Sequence, residues 1–277
     1  MNILTYDGRK AMEYLQIADG LRAPRIGLGT FDLKEDSIRT GLEAGYRLFD
    51  TAWQYKNEDQ VGKAVKESGI AREEVLITTK LWTRHIRMGK AREALEESLR
   101  SLNLDYVDLY LIHWPAKGYE KAWEVMNTLK EEGKVKAIGV SNFNSHHLEA
   151  ITRAGSVPAI NQVESHPYFP NDEVIAQCRK RGICAQAWCP LGGPYSNLKS
   201  DKVFEHLSQK YKKTSAQIIL RWHMQRGMMA IPRSSSKKRL EENLEIFDFW
   251  LEEADMTKID KLDTGKRMGA DPDNFDF

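Results

Sequence analysis

A single (β/α)8 barrel is the fold class the sequence predicts, and three observations predict it. Eight short runs of β-branched or aliphatic residues recur along the chain, and amphipathic helical stretches separate them. The runs are apolar almost throughout, as strands buried on both faces of a parallel sheet are. The 277 residues lie close to the ~250 of one such barrel, and no Pro- or Ser-rich linker divides residues 1–277, which are read as one domain. An open doubly wound sheet is the alternative arrangement of the same units.

At the N-terminus, Glu13–Ile17, the turn Asp19-Gly20 and Leu21–Pro24 read as a β-hairpin that could close the barrel bottom. The eight strand candidates are Arg25–Thr30, Arg47–Ala52, Val75–Leu81, Val107–His113, Val135–Asn142, Ala159–Ser165, Ile183–Pro190 and Met228–Ser234. Between them, Ala91–Leu102 sets Ala91, Leu95, Leu99 and Leu102 on one helical stripe, and Glu120–Glu132 does the same with Ala122, Val125, Met126 and Leu129. Strand starts fall about 22 to 32 residues apart, but the last gap is about 45, so the seventh crossover has room for an extra helix, Asp201–Tyr211, before Ser215–Arg226. Asp255–Leu262 reads as a further C-terminal helix. The tail Gly265–Phe277 is polar and is expected to be loosely held.

Composition narrows the function classes. Hydrophobic residues make up 41 %, which suits a packed core, and 41 Lys and Arg against 40 Asp and Glu give no global attraction to nucleic acid or anionic membrane. No apolar window is long enough to span a membrane, and Asp7, Arg9, Lys10 and Glu13 stand where a signal peptide needs its apolar stretch. Cys178, Cys184 and Cys189 are odd in number and lack a C-x-x-C spacing, so a reducing cytoplasm is expected. His146-His147 and His166 have no ligand partners at usable spacing, so no metal is expected.

In a barrel of this type the chemistry sits at the C-terminal ends of the strands. Asp50 and Tyr55 follow the second strand, Lys80 ends the third and His113 ends the fourth, in the company of Trp53, Trp82 and Trp114. Each has an ordinary explanation alone: Asp50–Lys80 as a structural ion pair, His113 as a core histidine, Tyr55 as a rim residue. Four titratable groups on three consecutive strand ends read instead as a catalytic set. Hydride delivery to a carbonyl leaves negative charge on oxygen, which needs a proton donor. Tyrosine is a poor acid near neutral pH, but a cation at ~4 Å opposes its pKa of ~10, so Lys80 can activate Tyr55 while Asp50 keeps Lys80 charged and His113 orients the carbonyl.

The segment Gly45-Tyr46-Arg47-Leu48-Phe49-Asp50-Thr51-Ala52, with Glu58 and Val61-Gly62 after it, resembles the signature of the aldo-keto reductase superfamily. Lys80-Leu81-Trp82, Leu111-Ile112-His113-Trp114-Pro115, Gly139-Val140-Ser141-Asn142-Phe143, Asn161-Gln162 and Ile231-Pro232-Arg233-Ser234 through Glu242-Asn243 resemble its other blocks in order and spacing. The resemblance implies an NADPH-dependent reductase of aldehydes and ketones, with Tyr55 as general acid. It further implies a cofactor across the barrel mouth: Ser141, Asn142 and Gln162 on the carboxamide, Trp188 against the nicotinamide, and Leu191, Arg233, Ser234, Arg239, Glu242 and Asn243 along the remainder. Phe31, Gln54, Trp82, Trp114 and the loop Gly192–Asn197 would wall the substrate pocket, although such aromatics are also ordinary rim residues.

Trp188, Arg233 and Phe31 depart from the tyrosine, lysine and tryptophan common in the superfamily. Trp188, Phe31 and the run Arg239–Leu244 with Phe247-Asp248-Phe249 are similar to the bacterial 2,5-diketo-D-gluconate reductases. The basic run Arg233–Arg239 before a helix suits a phosphate, though as a bare pattern it is also a solvated helix start or a weak nucleic-acid patch. Small dicarbonyls or keto sugars are the expected substrates, and a monomer is expected. Two other readings stay open: a Schiff-base aldolase using Lys80, and an NADPH-sensing regulatory subunit of another protein.

Overall fold

Eight short parallel strands whose residues are nearly all buried carry the molecule, because helices cover their outer faces and side chains fill the space between them. The computed structural model describes residues 3–6, 11–153, 156–194 and 196–277. Asp7, Arg9, Lys10 and, within the loop 192–197, Tyr195 lie outside the described residues.

The chain opens with an antiparallel sheet of β1 (Ile3–Tyr6), β2 (Ala11–Ala18) and β3 (Leu21–Pro24). The barrel follows: β4 (Leu28–Gly29), α1 (Glu35–Ala44), β5 (Leu48–Asp50), α2 (Glu58–Glu67), β6 (Leu76–Leu81), α3 (Thr83–Arg87), α4 (Ala91–Leu102), β7 (Val107–Ile112), α5 (Tyr119–Glu131), β8 (Val135–Ser141), α6 (Ser145–Thr152), β9 (Ile160–Glu164), α7 (Asp172–Lys180), β10 (Cys184–Trp188), α8 (Lys202–Tyr211), α9 (Ser215–Gln225), β11 (Met229–Ala230), α10 (Lys237–Leu244) and α11 (Glu253–Asp260). Strands β4 to β11 pair in sequence order. The ring closes where Gly27 N donates to Ala230 O at 3.0 Å and Ala230 N to Arg25 O at 2.9 Å. All eight expected strands are present, and the seventh crossover holds both expected helices.

The hairpin plugs the barrel bottom as expected. Ile17, Leu21 and Ala23 form one buried cluster with Leu48, Leu76, Leu109, Ala137 and Met229 from inside the ring. The pairing of Ile3 opposite Tyr14 through Tyr6 opposite Ala11 makes it a three-stranded sheet, an addition to the expected hairpin. Outside the ring, helix stripes pack tightly: a Cβ on Gly62 of α2 would lie 1.9 Å from the Leu102 carbonyl at the end of α4, so only glycine permits this approach. Gly45 ends α1 with φ +108°, and its N–H returns to Gly41 and Leu42 carbonyls.

Two expectations need correction. The first and last barrel strands shrink to Leu28–Gly29 and Met229–Ala230, since Pro232 has no N–H to continue a ladder and serves only as acceptor for Gly29 N at 3.2 Å. The tail is not loosely held. Gly269 N donates to Glu164 Oε2 at 3.0 Å, the Met268 N–H bonds the other Glu164 oxygen at 2.5 Å, Phe277 stacks on Trp82 at 5.5 Å, and Phe275 packs against Trp114 at 5.2 Å. Two aromatic residues in a polar stretch were the legible sign of that docking.

Candidate active site

Asp50 is the last residue of β5, Lys80 the penultimate residue of β6, and His113 follows β7 directly, its N–H bonded to Leu81 O at 3.0 Å. After β5 a 3₁₀ turn, Trp53–Tyr55, brings Tyr55 back over the same end of the barrel. Parallel pairing in register thus gathers four groups that the chain separates.

Lys80 is 0 % exposed, and a charge there must be paired and fully hydrogen-bonded. Its Nζ lies 2.5 Å from Asp50 Oδ1, 2.9 Å from the Thr51 carbonyl and 3.3 Å from Tyr55 Oη. Burial alone would depress Lys80, but the Asp50 carboxylate outweighs it and holds the ammonium above its ordinary pKa. On its other oxygen Asp50 accepts from Gln162 Nε2 at 2.7 Å, and the same nitrogen lies 2.7 Å from Gln186 Oε1. Gln186 was not anticipated, because its role exists only through β10 lying beside β9.

At Tyr55 burial raises the pKa above the ordinary value and the pull of Lys80 is a partial offset, so the phenol rests protonated. His113 is neutral: burial first, then the Lys80 charge, holds it well below 6.5, and its Nδ1 has no protein partner. Its ring lies edge-on to Tyr55 at 5.8 Å and to Trp82 at 5.0 Å.

The expected cofactor residues fall into two groups around this centre. Ser141, Asn142 and Trp188 are one hydrogen-bonded chain: Trp188 Nε1 donates to Asn142 Oδ1 at 2.8 Å, Asn142 Nδ2 to the His113 carbonyl at 3.0 Å, and Ser141 Oγ to the Gln162 carbonyl at 2.8 Å. At the start of α10, Ser234 Oγ accepts from Ser236 N, while Lys237, Lys238 and Arg239 are exposed. Glu242 and Leu191 are half-buried. Asn243 is buried near Tyr46, which follows α1 and whose hydroxyl donates to the Leu240 carbonyl of α10 at 3.2 Å. The Nη1 of Arg233 is held by the Phe31 carbonyl at 3.1 Å and by Asp32 at 3.3 Å.

Of the expected pocket residues, Phe31 is 58 % exposed with its ring 5.1 Å from Tyr55, and Gln54 is exposed. Trp82 stacks on Phe277, and Trp114 packs against both Phe275 and Phe277 of the tail, contacts that the sequence did not announce. The tail brings Asp273 beside His146 and His147, a meeting that no sequence spacing announces. Among the described residues no helix is long and apolar enough to cross a membrane.

A strand-end Asp–Lys pair, tyrosine and histidine on an eight-stranded barrel define an oxidoreductase barrel, and the aldo/keto reductase family profile matches residues 25–264. The chain belongs to the aldo/keto reductase family. It is 43 % identical over 269 residues to methylglyoxal reductase DkgA of Escherichia coli O157:H7, covering 94 % of this chain and 97 % of that protein. To the glyoxal reductase of Bacillus subtilis it is 42 % identical over 270 residues, with 95 % and 97 % covered. The crystal structure of MGS-M4, an aldo-keto reductase from a Medee basin deep-sea metagenome library, superposes with TM-score 0.89 at 42 % identity, covering 94 % of this chain and 98 % of that one.

Proposed function

We propose that this protein is an NADPH-dependent reductase of small carbonyl compounds, dicarbonyls foremost, with Tyr55 as the proton donor. The carrying observation is the relay Asp50–Lys80–Tyr55, at 2.5 and 3.3 Å, with neutral His113 alongside. The names of the methylglyoxal and glyoxal reductases support the substrate class.

The donor set fits a phosphorylated dinucleotide. Lys237, Lys238 and Arg239 occupy the first turn of α10, where free backbone N–H groups and cationic side chains favour phosphate, and Arg239 has no partner among the described residues. Ser141, Asn142 and Trp188 offer amide, hydroxyl and indole groups at the strand ends nearer Tyr55. When bound, the reduced nicotinamide supplies a hydride to the carbonyl carbon. Tyr55 Oη gives its proton to the carbonyl oxygen, Lys80 Nζ stabilises the tyrosinate, and Asp50 with Gln162 keeps Lys80 in place. His113, neutral, donates a ring N–H to the same oxygen, while Phe31, Trp82 and Trp114 exclude water.

The Schiff-base alternative loses support because Lys80 Nζ is a charged donor already satisfied by three acceptors, whereas nucleophilic attack needs a free amine. We take the enzyme to act as a monomer in a reducing compartment such as the cytoplasm, without nucleic-acid or membrane partners. The deciding experiment follows NADPH oxidation by absorbance across glyoxal, methylglyoxal, keto sugars and simple aldehydes. Tight NADPH binding with negligible turnover on every substrate would favour the regulatory-subunit reading instead.

A further inference from the structure

The N-terminal end of α6 and the C-terminal tail meet in a cluster that the reductase chemistry does not use. His146 Nε2 lies 3.1 Å and His147 Nε2 3.5 Å from the same Asp273 oxygen, Oδ1. The other Asp273 oxygen accepts from Asn144 Nδ2 at 2.8 Å. A turn in which Asn274 N reaches the Asp271 carbonyl at 3.0 Å and Asp273 N the Asp271 side chain at 3.0 Å presents the carboxylate to the helix. His147 is buried against Tyr119 and Phe143, at 5.7 and 5.6 Å between ring centres, and His146 lies beside it at 3.9 Å.

We propose that His146, His147 and Asp273 form a binding site for one late first-row divalent cation of the zinc type. Tetrahedral zinc with bonds of ~2.0–2.1 Å has ligand-to-ligand edges of about 3.3 Å, and the two nitrogen-to-oxygen separations bracket that value. The 3.5 Å separation is long for a hydrogen bond but near a tetrahedral edge. Two imidazoles and one carboxylate suit zinc, nickel or copper, whereas magnesium and calcium take oxygen donors. Asn144 supplies the outer contact that orients a ligating carboxylate. The three residues line a cleft between α6 and the tail together with Arg87, Lys117 and Phe275, which leaves room for a water as the fourth ligand of a bound ion. His147 Nδ1 accepts from the Asn144 N–H at 3.1 Å, so metal at Nε2 moves the ring proton to Nδ1 and exchanges that capping bond for the metal bond.

Because Asp273 stands two residues before Phe275 and four before Phe277, the ion would tie to α6 the segment that covers Trp82 and Trp114. The site is a clasp for the tail, distinct from the Tyr55 centre and independent of the cofactor assignment. The experiment uses the untagged full chain, stripped with chelator, and titrates zinc chloride by calorimetry with magnesium chloride as control. One saturable zinc site per chain is expected, with affinity at least ~10-fold weaker in Asp273→Asn and in His146→Ala, an exposed position whose replacement leaves the His147 cap intact. Zinc should also slow amide hydrogen exchange across residues 271–275 in the wild type and not in those variants. Absence of saturable binding, equal affinity in the variants, or binding that leaves the tail amides unchanged would each overturn the proposal.

Discussion

Gln162 Nε2 donates to Asp50 Oδ2 at 2.7 Å, on the oxygen that Lys80 leaves free, and so joins the sixth barrel strand to the ion pair of the second and third. Asp50 is thereby held from two sides. The pair cannot reorient without breaking a buried hydrogen bond, and Lys80 is kept aimed at Tyr55.

Removing the Tyr55 hydroxyl tests the proton donor. Tyr55→Phe keeps the ring that contacts Phe31 and His113, so binding surfaces persist while the proton source is lost. A fall in kcat of at least ~10²-fold is expected, with NADPH affinity nearly unchanged. Near-normal turnover would end the catalytic assignment.

The Asp50–Lys80 pair predicts an order of damage. Lys80→Met removes the charge that stabilises the tyrosinate and should abolish turnover. Asp50→Asn leaves Lys80 bonded to the Thr51 carbonyl and Tyr55, so steady-state rates should fall less. The reverse order in folded variants would give Asp50 a direct chemical role.

Cofactor choice rests on Arg239. The 2′-phosphate of NADPH can accept a forked, charge-assisted pair from this exposed guanidinium, so Arg239→Ala should weaken NADPH binding roughly 10- to 100-fold and leave NADH almost unaffected. Fluorescence titration of both cofactors, repeated at raised salt, measures this. Equal losses for the two would assign Arg239 to holding the loop.

Stability should fall on acidification because of buried neutral histidines. Burial, reinforced by the Arg226 charge, holds His223 down to about 3, and its Nε2 is 3.2 Å from the Pro190 carbonyl. Unfolded, the imidazole titrates near 6.5, so between that value and about 3 the unfolded chain binds the extra proton and stability drops as pH falls, by up to about 1.4 kcal/mol per pH unit for this one group. Urea midpoints at pH 7, 6 and 5 should show this slope, and His223→Gln should make it shallower by about one proton. An unchanged slope would mean that His223 does not stay neutral in the folded protein.

The eight strands, the hairpin and the gathering of Asp50, Tyr55, Lys80 and His113 at one end of the barrel were legible in the sequence because their signals are local. Continuous apolar runs identify strands buried on both faces, amphipathic spacing identifies the helices between them, and ionisable residues at strand ends mark the barrel mouth. Other features depended on which residues the closed ring brings together. Asp273 reaches His146, Glu164 takes the Met268 and Gly269 amides, and Arg233 turns to Asp32. None of these contacts leaves a periodic trace, since each joins distant single positions through loops. The balance at Tyr55 was likewise a tertiary matter: the sequence supplied the tyrosine and the lysine, but only their depth in the fold decided that desolvation outweighs the cation and leaves the phenol protonated.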